Sequence, residues 1–123
     1  MSNNNYGLAI NNAVIARMAE MAALETQGVA AMGTRPASLR SLVGKKGATR
    51  SVSVSTENGI INIELYIKVL DTEQVNEVAE RVQTGVKEKL QGMTGSAVTR
   101  VNVVVSDIAF SEDHSDAEEP SEN

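Results

Sequence analysis

The sequence predicts an α+β fold in which two main helices pack on one face of a small sheet. Residues 12–26 and 75–92 carry apolar side chains at helical spacing, and three later segments alternate apolar and polar residues as half-buried strands do. The order along the chain is helix, hairpin, helix, strand. Because each helix has one apolar stripe and the strands share one apolar face, we expect a two-layer sandwich with a mainly antiparallel sheet of three to four strands.

The first helix is predicted over residues 12–26. Asn11 or Asn12 can cap it, because an asparagine side chain accepts bonds from the first backbone N–H groups, and Gly28 is expected to end it. Its alanines permit close approach to whatever the helix packs on. Residues 29–32 can follow as a short strand, and residues 37–43 can form a helical turn within a loop.

A hairpin comes next. Residues 51–55 read Ser-Val-Ser-Val-Ser, and residues 61–69 alternate Ile, Leu and Val with polar side chains. Between them, Asn58-Gly59 supplies the two positive-φ positions that a type I′ turn requires. We therefore expect these two strands to pair antiparallel.

The second helix and the last strand complete the fold. Asp71 with Gln74 has the form of a capping box, and an apolar stripe then continues to about Gly92. Its members are Val75, Val78, Ala79, Val82, Val86, Leu90 and Met93. The last strand is predicted over residues 98–110, with Val101, Val103 and Val105 facing inward. Because Asp107 breaks this parity, either a bulge restores the register or the strand ends near Ser106.

Composition argues against most enzyme classes. The 123 residues include no cysteine, which excludes disulfides, thiolate metal sites, iron–sulfur clusters and cysteine nucleophiles. The single histidine, His114, argues against a Ser-His-Asp triad and a multi-histidine zinc site. We therefore expect no enzyme, no cofactor and no metal, and a binding or assembly module instead. The chain has neither a signal-like N-terminus nor an apolar window of 18 residues, so we expect a cytoplasmic protein without a membrane span of its own.

Charge is distributed unevenly along the chain. No Asp or Glu lies between Thr26 and Thr56, whereas a loop over about residues 33–50, the basic loop, holds five cations. These are Arg35, Arg40, Lys45, Lys46 and Arg50. Residues 111–123 carry six acidic and no basic side chains. We expect a single domain over residues 1–110 and a disordered acidic tail over 111–123, since the tail has too few apolar groups to offset its ordering entropy.

Eight residues are candidates for partner binding. They are the five cations of the basic loop together with Tyr66, Lys68 and Arg100, which we expect to be exposed on the polar outer face of the sheet. The basic loop could equally pair with the acidic tail or with an anionic membrane surface. Four methionines, Met18, Met21, Met32 and Met93, are expected to fill the core, with an adaptable partner groove as the alternative.

Nucleic-acid binding is the competing hypothesis. Gly44-Lys45-Lys46-Gly47 has the G-x-x-G form by which KH domains clamp a nucleic-acid backbone. A KH loop joins two helices, however, whereas this one runs straight into a predicted strand, and stacking aromatics are absent from the segment. The pattern therefore favours a basic loop without a nucleic-acid role.

A co-linear set of short motifs extends over residues 6–110. Its members are residues 7–10 with 14–15, 27–29, 52–54, 61–69, 75–82 with Val86, Gly92-Met93-Thr94-Gly95, and 101–110. The Met-Thr-Gly turn followed by V-x-V-x-V-x-D is the most specific part. The set resembles the alkaline-shock or general-stress family of bacterial envelope stress-response proteins. Leu70-Asp71 departs from the Tyr-Gly that this family commonly has before the second helix.

The resemblance implies a small cytoplasmic protein without known catalysis that contributes to cell-envelope homeostasis under stress. It also implies a protein partner, membrane-anchored in some relatives, which would bring the chain to the inner face of the membrane. Some relatives look like self-assembling proteins, and others are linked to control of lipid-precursor metabolism. No catalytic residue is implied for this chain.

Overall fold

The computed structural model describes residues 10–36, 51–57, 60–95 and 98–110, which form two helices and four strands. The helices are α1 (Asn12–Leu24) and α2 (Val75–Thr94), and the strands are β1 (Val29–Met32), β2 (Val52–Glu57), β3 (Ile60–Leu70) and β4 (Val98–Ala109). Both helices pack on one face of the sheet. The predicted two-layer α+β architecture is confirmed.

β3 is the centre of the sheet. β4 pairs parallel to β3 along nearly the whole length of β3. β2 pairs antiparallel with the first half of β3, and β1 pairs antiparallel with its second half. A strand has only two edges, so β1 and β2 lie end to end along one edge of β3 and β4 occupies the other. The sheet is thus mainly antiparallel, and β3, α2 and β4 form a parallel crossover unit.

Most of the core lies between this sheet and the helices. The buried apolar side chains of β3 are Ile61, Ile63, Leu65, Ile67 and Val69, and those of α2 are Val78, Val82, Val86 and Leu90. α1 adds Ile15 and four alanines that are almost fully buried. Each fully buried Val, Leu or Ile contributes about 1.5–3 kcal/mol. The small alanine side chains allow α1 to contact β1, β2, β3 and α2 together.

The first helix begins where the sequence predicts. The Asn11 side chain accepts a hydrogen bond from the Ala13 N–H at 2.7 Å, so Asn11 is the N-cap. The helix ends at Leu24, two residues earlier than expected, and Gly28 lies with φ 98° in the turn before β1.

The predicted start and end of α2 need correction. The capping box is wrong, because the Asp71 N–H is bonded to the carbonyl of Ala109 at the end of the sheet and Gln74 makes no side-chain cap bond. The helix therefore starts at Val75, and it ends in a left-handed C-cap at Gly95. Val75 and Met93, expected in the apolar stripe, are exposed because the core ends at Val78 and Leu90.

A bulge keeps β4 in register with the core. Ile67 pairs with Val105 and Lys68 with Asp107, so Ser106 is the extra residue. Val101, Val103 and Val105 contact the core as predicted, and the bulge returns Ile108 to the same face. Of the two outcomes that the sequence left open, the bulge is the one observed.

The hairpin is confirmed by its register, in which Glu57 pairs with Ile60. The conformation of Asn58-Gly59 lies outside the described residues. So do the expected helical turn at 37–43 and the expected disorder of 111–123.

Two glycines should respond oppositely to alanine. At Gly28 a Cβ would lie 2.5 Å from Val78 Cγ2, and φ is 98°, so we expect Gly28→Ala to lower the free energy of unfolding by at least about 1 kcal/mol. At Gly92, inside α2, no heavy atom lies within 4 Å of a Cβ, so Gly92→Ala should raise it by about 0.5–1 kcal/mol. Urea unfolding of both variants measures this, and effects of equal sign would contradict it.

Candidate functional site

The described residues can be assessed for a metal site, a membrane-spanning helix and exposed surfaces. They contain no group of three His, Asp or Glu side chains arranged to hold a metal ion. No helix in the described ranges is long and apolar enough to cross a membrane. Three surfaces remain for partner binding, namely the outer face of the sheet, the free edge of β4 and the solvent side of the two helices.

The outer face of the sheet is less open than predicted. Arg100 is exposed and Lys68 is half-buried, but Tyr66 is only 6% exposed and Arg35 only 3%. The expectation that Tyr66 is exposed is therefore wrong, and Arg35, a candidate from the basic loop, is buried as well. Tyr66 lies in the middle of the central strand, between the Gly33 and Ser51 backbone on one side and Val104 on the other. A role for these four residues in partner binding stays a prediction.

The two ends of the basic loop are held together at Tyr66. The Gly33 N–H donates to the Tyr66 carbonyl at 2.7 Å, and the Tyr66 N–H donates to the Ser51 carbonyl at 2.9 Å. The Ser51 hydroxyl donates to the Gly33 carbonyl at 2.5 Å and joins the two ends directly. We call these three bonds the loop clasp. Nothing in the sequence marks it, because Gly33 and Ser51 are 18 residues apart.

The loop that this clasp closes cannot be assigned a partner from its geometry. Arg40, Lys45, Lys46 and Arg50 lie outside the described residues, so their binding role stays a prediction. The elements described on either side of the loop are the strands β1 and β2. These flanks give no support to a KH-like arrangement.

The second surface is the free edge of β4. Among the described strands β4 pairs only with β3, and its other edge borders a groove of about 460 Å³ between β4 and α2. The groove is lined by Gln83, Thr84, Lys87, Arg100, Val101 and Asn102. Gln83 Nε2 donates to the Val101 carbonyl at 3.1 Å, so that carbonyl points to the free edge.

The third surface is an apolar area on the helices that the sequence analysis did not identify. Val14, Met21 and Leu24 of α1 and Met93 of α2 are 46%, 54%, 48% and 58% exposed. We call these four residues the helical patch. α1 has only two charged residues, Arg17 and Glu20, and its alanine side is already buried. A helix that is apolar nearly all round is usually covered on both sides.

An ion pair connects the two parts of the helical patch. Lys89 Nζ of α2 lies 3.3 Å from Glu25 Oε1, directly after α1. Met21 is four residues before Glu25, and Met93 is four residues after Lys89. Because side chains four residues apart lie on the same helix face, the two methionines flank the ion pair. The patch is therefore one surface shared by both helices.

The methionine prediction is correct for only two of the four residues. Met18 and Met32 pack against the core, as expected, whereas Met21 and Met93 belong to the exposed helical patch. For Met21 the sequence signal is the scarcity of charge on α1, although the exposed Arg17 lies on the same side of that helix as Val14 and Met21.

Comparison with known proteins gives a family match over most of the chain. The model of the alkaline-shock protein 23 family, described as having a cell envelope-related function, matches residues 1–110. The uncharacterized protein YloU of Bacillus subtilis (strain 168) is 35% identical over 107 residues, which cover 84% of this chain and 89% of that protein.

Among solved structures, a variant of the MamM CTD is similar with a TM-score of 0.48 and 14% identity, covering 76% of this chain and 94% of that chain. A nickel form of another variant has the same TM-score at 13% identity and covers 76% of this chain and 95% of that chain. A likeness at this level carries no functional implication.

We expect Ser51→Ala to weaken the loop clasp. Ser51 is 8% exposed and its hydroxyl bonds the Gly33 carbonyl, so its removal should lower the free energy of unfolding by about 1 kcal/mol. Ser55→Ala, at an exposed position of β2, which begins directly after Ser51, is the matched control and should change the free energy of unfolding by less than about 0.5 kcal/mol. Equal urea midpoints for both variants would show that the Ser51 hydroxyl bond contributes nothing to stability.

Proposed function

The chain belongs to the alkaline-shock protein 23 family, and on that premise we propose that it is a non-catalytic cytoplasmic stress-response protein of the cell envelope. It acts through contacts with other proteins, by self-association and by binding a membrane-anchored partner. The helical patch is the observation that carries this proposal, because it is an exposed apolar surface on otherwise well-packed helices.

The chemistry of the helical patch supports a protein partner. Two of its four side chains are methionines, whose flexible thioethers adapt to apolar surfaces of different shape. The Glu25–Lys89 ion pair beside them adds polar groups that can orient a partner. A membrane-anchored protein with an apolar cytoplasmic segment would bury Met21 and Met93 and hold this chain at the inner face of the membrane.

A nucleic-acid role has no comparable support. It would depend on Lys45 and Lys46 with neighbouring cations of the basic loop, and these positions lie outside the described residues. Of the described candidates, Arg35 is 3% exposed and therefore a poor phosphate ligand at the surface.

The self-association part predicts a concentration-dependent mass. Size-exclusion chromatography with light scattering should give a mass that rises above 13.1 kDa as the protein concentration increases. The increase should persist at high salt if apolar and backbone contacts drive it, because salt screens only the charged contributions. A mass of 13.1 kDa at every concentration and salt would contradict self-association.

If the helical patch binds a membrane-anchored partner, the share of this protein that sediments with membranes should depend on the patch. In cells that express the chain, we expect the wild type to sediment partly with the membrane fraction. Met21→Gln with Met93→Gln should reduce this share about tenfold, since each truncated apolar contact costs about 1 kcal/mol or less and glutamine preserves helix propensity. The variants remove only side chains that are more than half exposed, so the fold should be unaffected.

Val75→Gln is the matched control for this experiment. Val75 is 40% exposed and lies at the opposite end of α2 from Met93, so its replacement should leave the membrane-associated share unchanged. If the wild type is wholly in the soluble fraction, or if the control lowers the share as much as the double variant does, the helical patch does not bind a membrane-anchored partner.

A further inference from the structure

We propose that two copies of this chain pair antiparallel along the free edge of β4 and so join two four-stranded sheets into one. The inference rests on the self-association part of the proposed function and specifies the surface, the register and the charged contacts for it. Four observations on β4 carry it.

The first observation is that, within the described residues, this edge has an uncharged and regular stretch between two bulges. Bulges at Thr99 and Ser106 bracket a regular stretch over residues 100–105. Within it, Val101-Asn102-Val103-Val104-Val105 has no charge, no proline and high β-propensity. Soluble proteins normally keep such a segment off an edge or interrupt it, because an open edge pairs with other strands.

The second observation is that the edge has backbone groups available for pairing. The Val101 carbonyl points to the edge, where the Gln83 side chain donates to it. Because backbone direction alternates along a strand, the N–H and carbonyl groups of Val103 and Val105 point to the same side. The Gln83 amide thus occupies one position that the N–H of a further strand would take.

The third observation concerns space. The groove between β4 and α2 lies along this edge at Arg100, Val101 and Asn102. Its volume is about 460 Å³, and Gln83 is the side chain of α2 that the structure shows bonded to the edge there. A second strand can therefore approach the start of the regular stretch as well as its end.

The fourth observation is the charge at the two ends of this stretch. It favours a second copy of the chain as the partner, and it favours antiparallel over parallel pairing. Arg100 precedes the uncharged stretch and Asp107 follows it, and both side chains are exposed. A two-fold axis at Val103 places Arg100 opposite Ser106 of the second copy and beside its Asp107. The same contact then forms twice. Parallel pairing in register would instead place Arg100 beside Arg100 of the second copy and Asp107 beside its Asp107, so that like charges would repel.

The same register satisfies the backbone. Val103 faces Val103 of the second copy, and Val101 faces Val105 of the second copy. All three positions have their hydrogen-bonding groups on the edge side, so they form the bonded pairs of an antiparallel ladder once the Val105 N–H of the second copy replaces the Gln83 amide at the Val101 carbonyl. Exposed apolar area of the valines is buried at the same time, which adds a favourable contribution.

A cysteine at the axis tests this register directly. The chain contains no cysteine, so Val103→Cys introduces the only thiol. Residues facing each other as a bonded antiparallel pair lie about 5.5 Å apart at Cα, within disulfide range. Under mild oxidation the full-length variant should form disulfide-linked dimers at least about tenfold faster than Ser55→Cys, the control on the exposed face of β2 at the opposite edge.

A charge exchange provides a test that does not depend on the cysteine variant folding. Arg100→Glu alone and Asp107→Arg alone should each weaken the dimer about three- to tenfold, because each creates two like-charge contacts across the axis. The double variant carries both charges in exchanged positions and should recover most of the wild-type affinity. Urea unfolding of each variant separates loss of pairing from loss of fold, since Asp107 also accepts the Ile108 N–H.

The outcomes separate this inference from the proposed function. A chain that is monomeric at all concentrations overturns this inference and the self-association part of the proposed function. Two outcomes overturn the β4 pairing alone. One is a dimer whose affinity is unchanged by the single charge variants, and the other is a Val103→Cys variant that forms disulfide-linked dimers no faster than Ser55→Cys. If Val103→Cys links only after residues 111–123 are deleted, the acidic tail covers this edge instead of a second copy, and the pairing is also overturned.

Discussion

The fold depends on β3 being paired along both of its edges. Its inward side chains are almost fully buried. A buried backbone N–H or carbonyl group that lacks a hydrogen bond destabilises the fold, so both edges of this strand need partners. One edge is covered by the single long strand β4, but the other is covered by two short strands that meet at Tyr66. The loop clasp is where they meet, so the basic loop can leave the sheet between Gly33 and Ser51 without leaving the Tyr66 backbone unbonded.

The elements of this fold could be predicted because each shows its own periodicity. The alternation of residues 61–69 and the stripe Val78, Val82, Val86 and Leu90 reflect burial on one face, which sequence records directly. The antiparallel hairpin was predicted as well, but the position of β3 at the centre of the sheet was not, because the sequence does not show which hairpin strand the last strand joins. The start of α2 was not predicted correctly. Asp71 does not cap the helix, because its N–H is bonded to the carbonyl of Ala109, 38 positions away, and a local sequence pattern cannot show such a contact.

The candidate site was predicted less well, because exposure depends on tertiary neighbours. Tyr66 alternates onto the polar face, yet it is buried where β1, β2 and β4 converge around it. Met21 and Met93 have the composition of core residues, yet they lie where the helices extend past the sheet. In both cases the side-chain type was known and its surroundings were not. Which of these side chains are exposed could therefore be determined only from the packed structure.

The two proposed contacts lie on opposite sides of α2, as the bonds of that helix indicate. Lys89 reaches Glu25 on the α1 side, where the helical patch lies, whereas Gln83 reaches Val101 on the β4 side. A second copy paired at β4 would therefore leave Met21 and Met93 accessible. Each dimer would present two helical patches, and binding through two sites at once raises the effective affinity for a membrane-anchored partner without any new contact. Self-association and partner binding can thus support each other in one small chain.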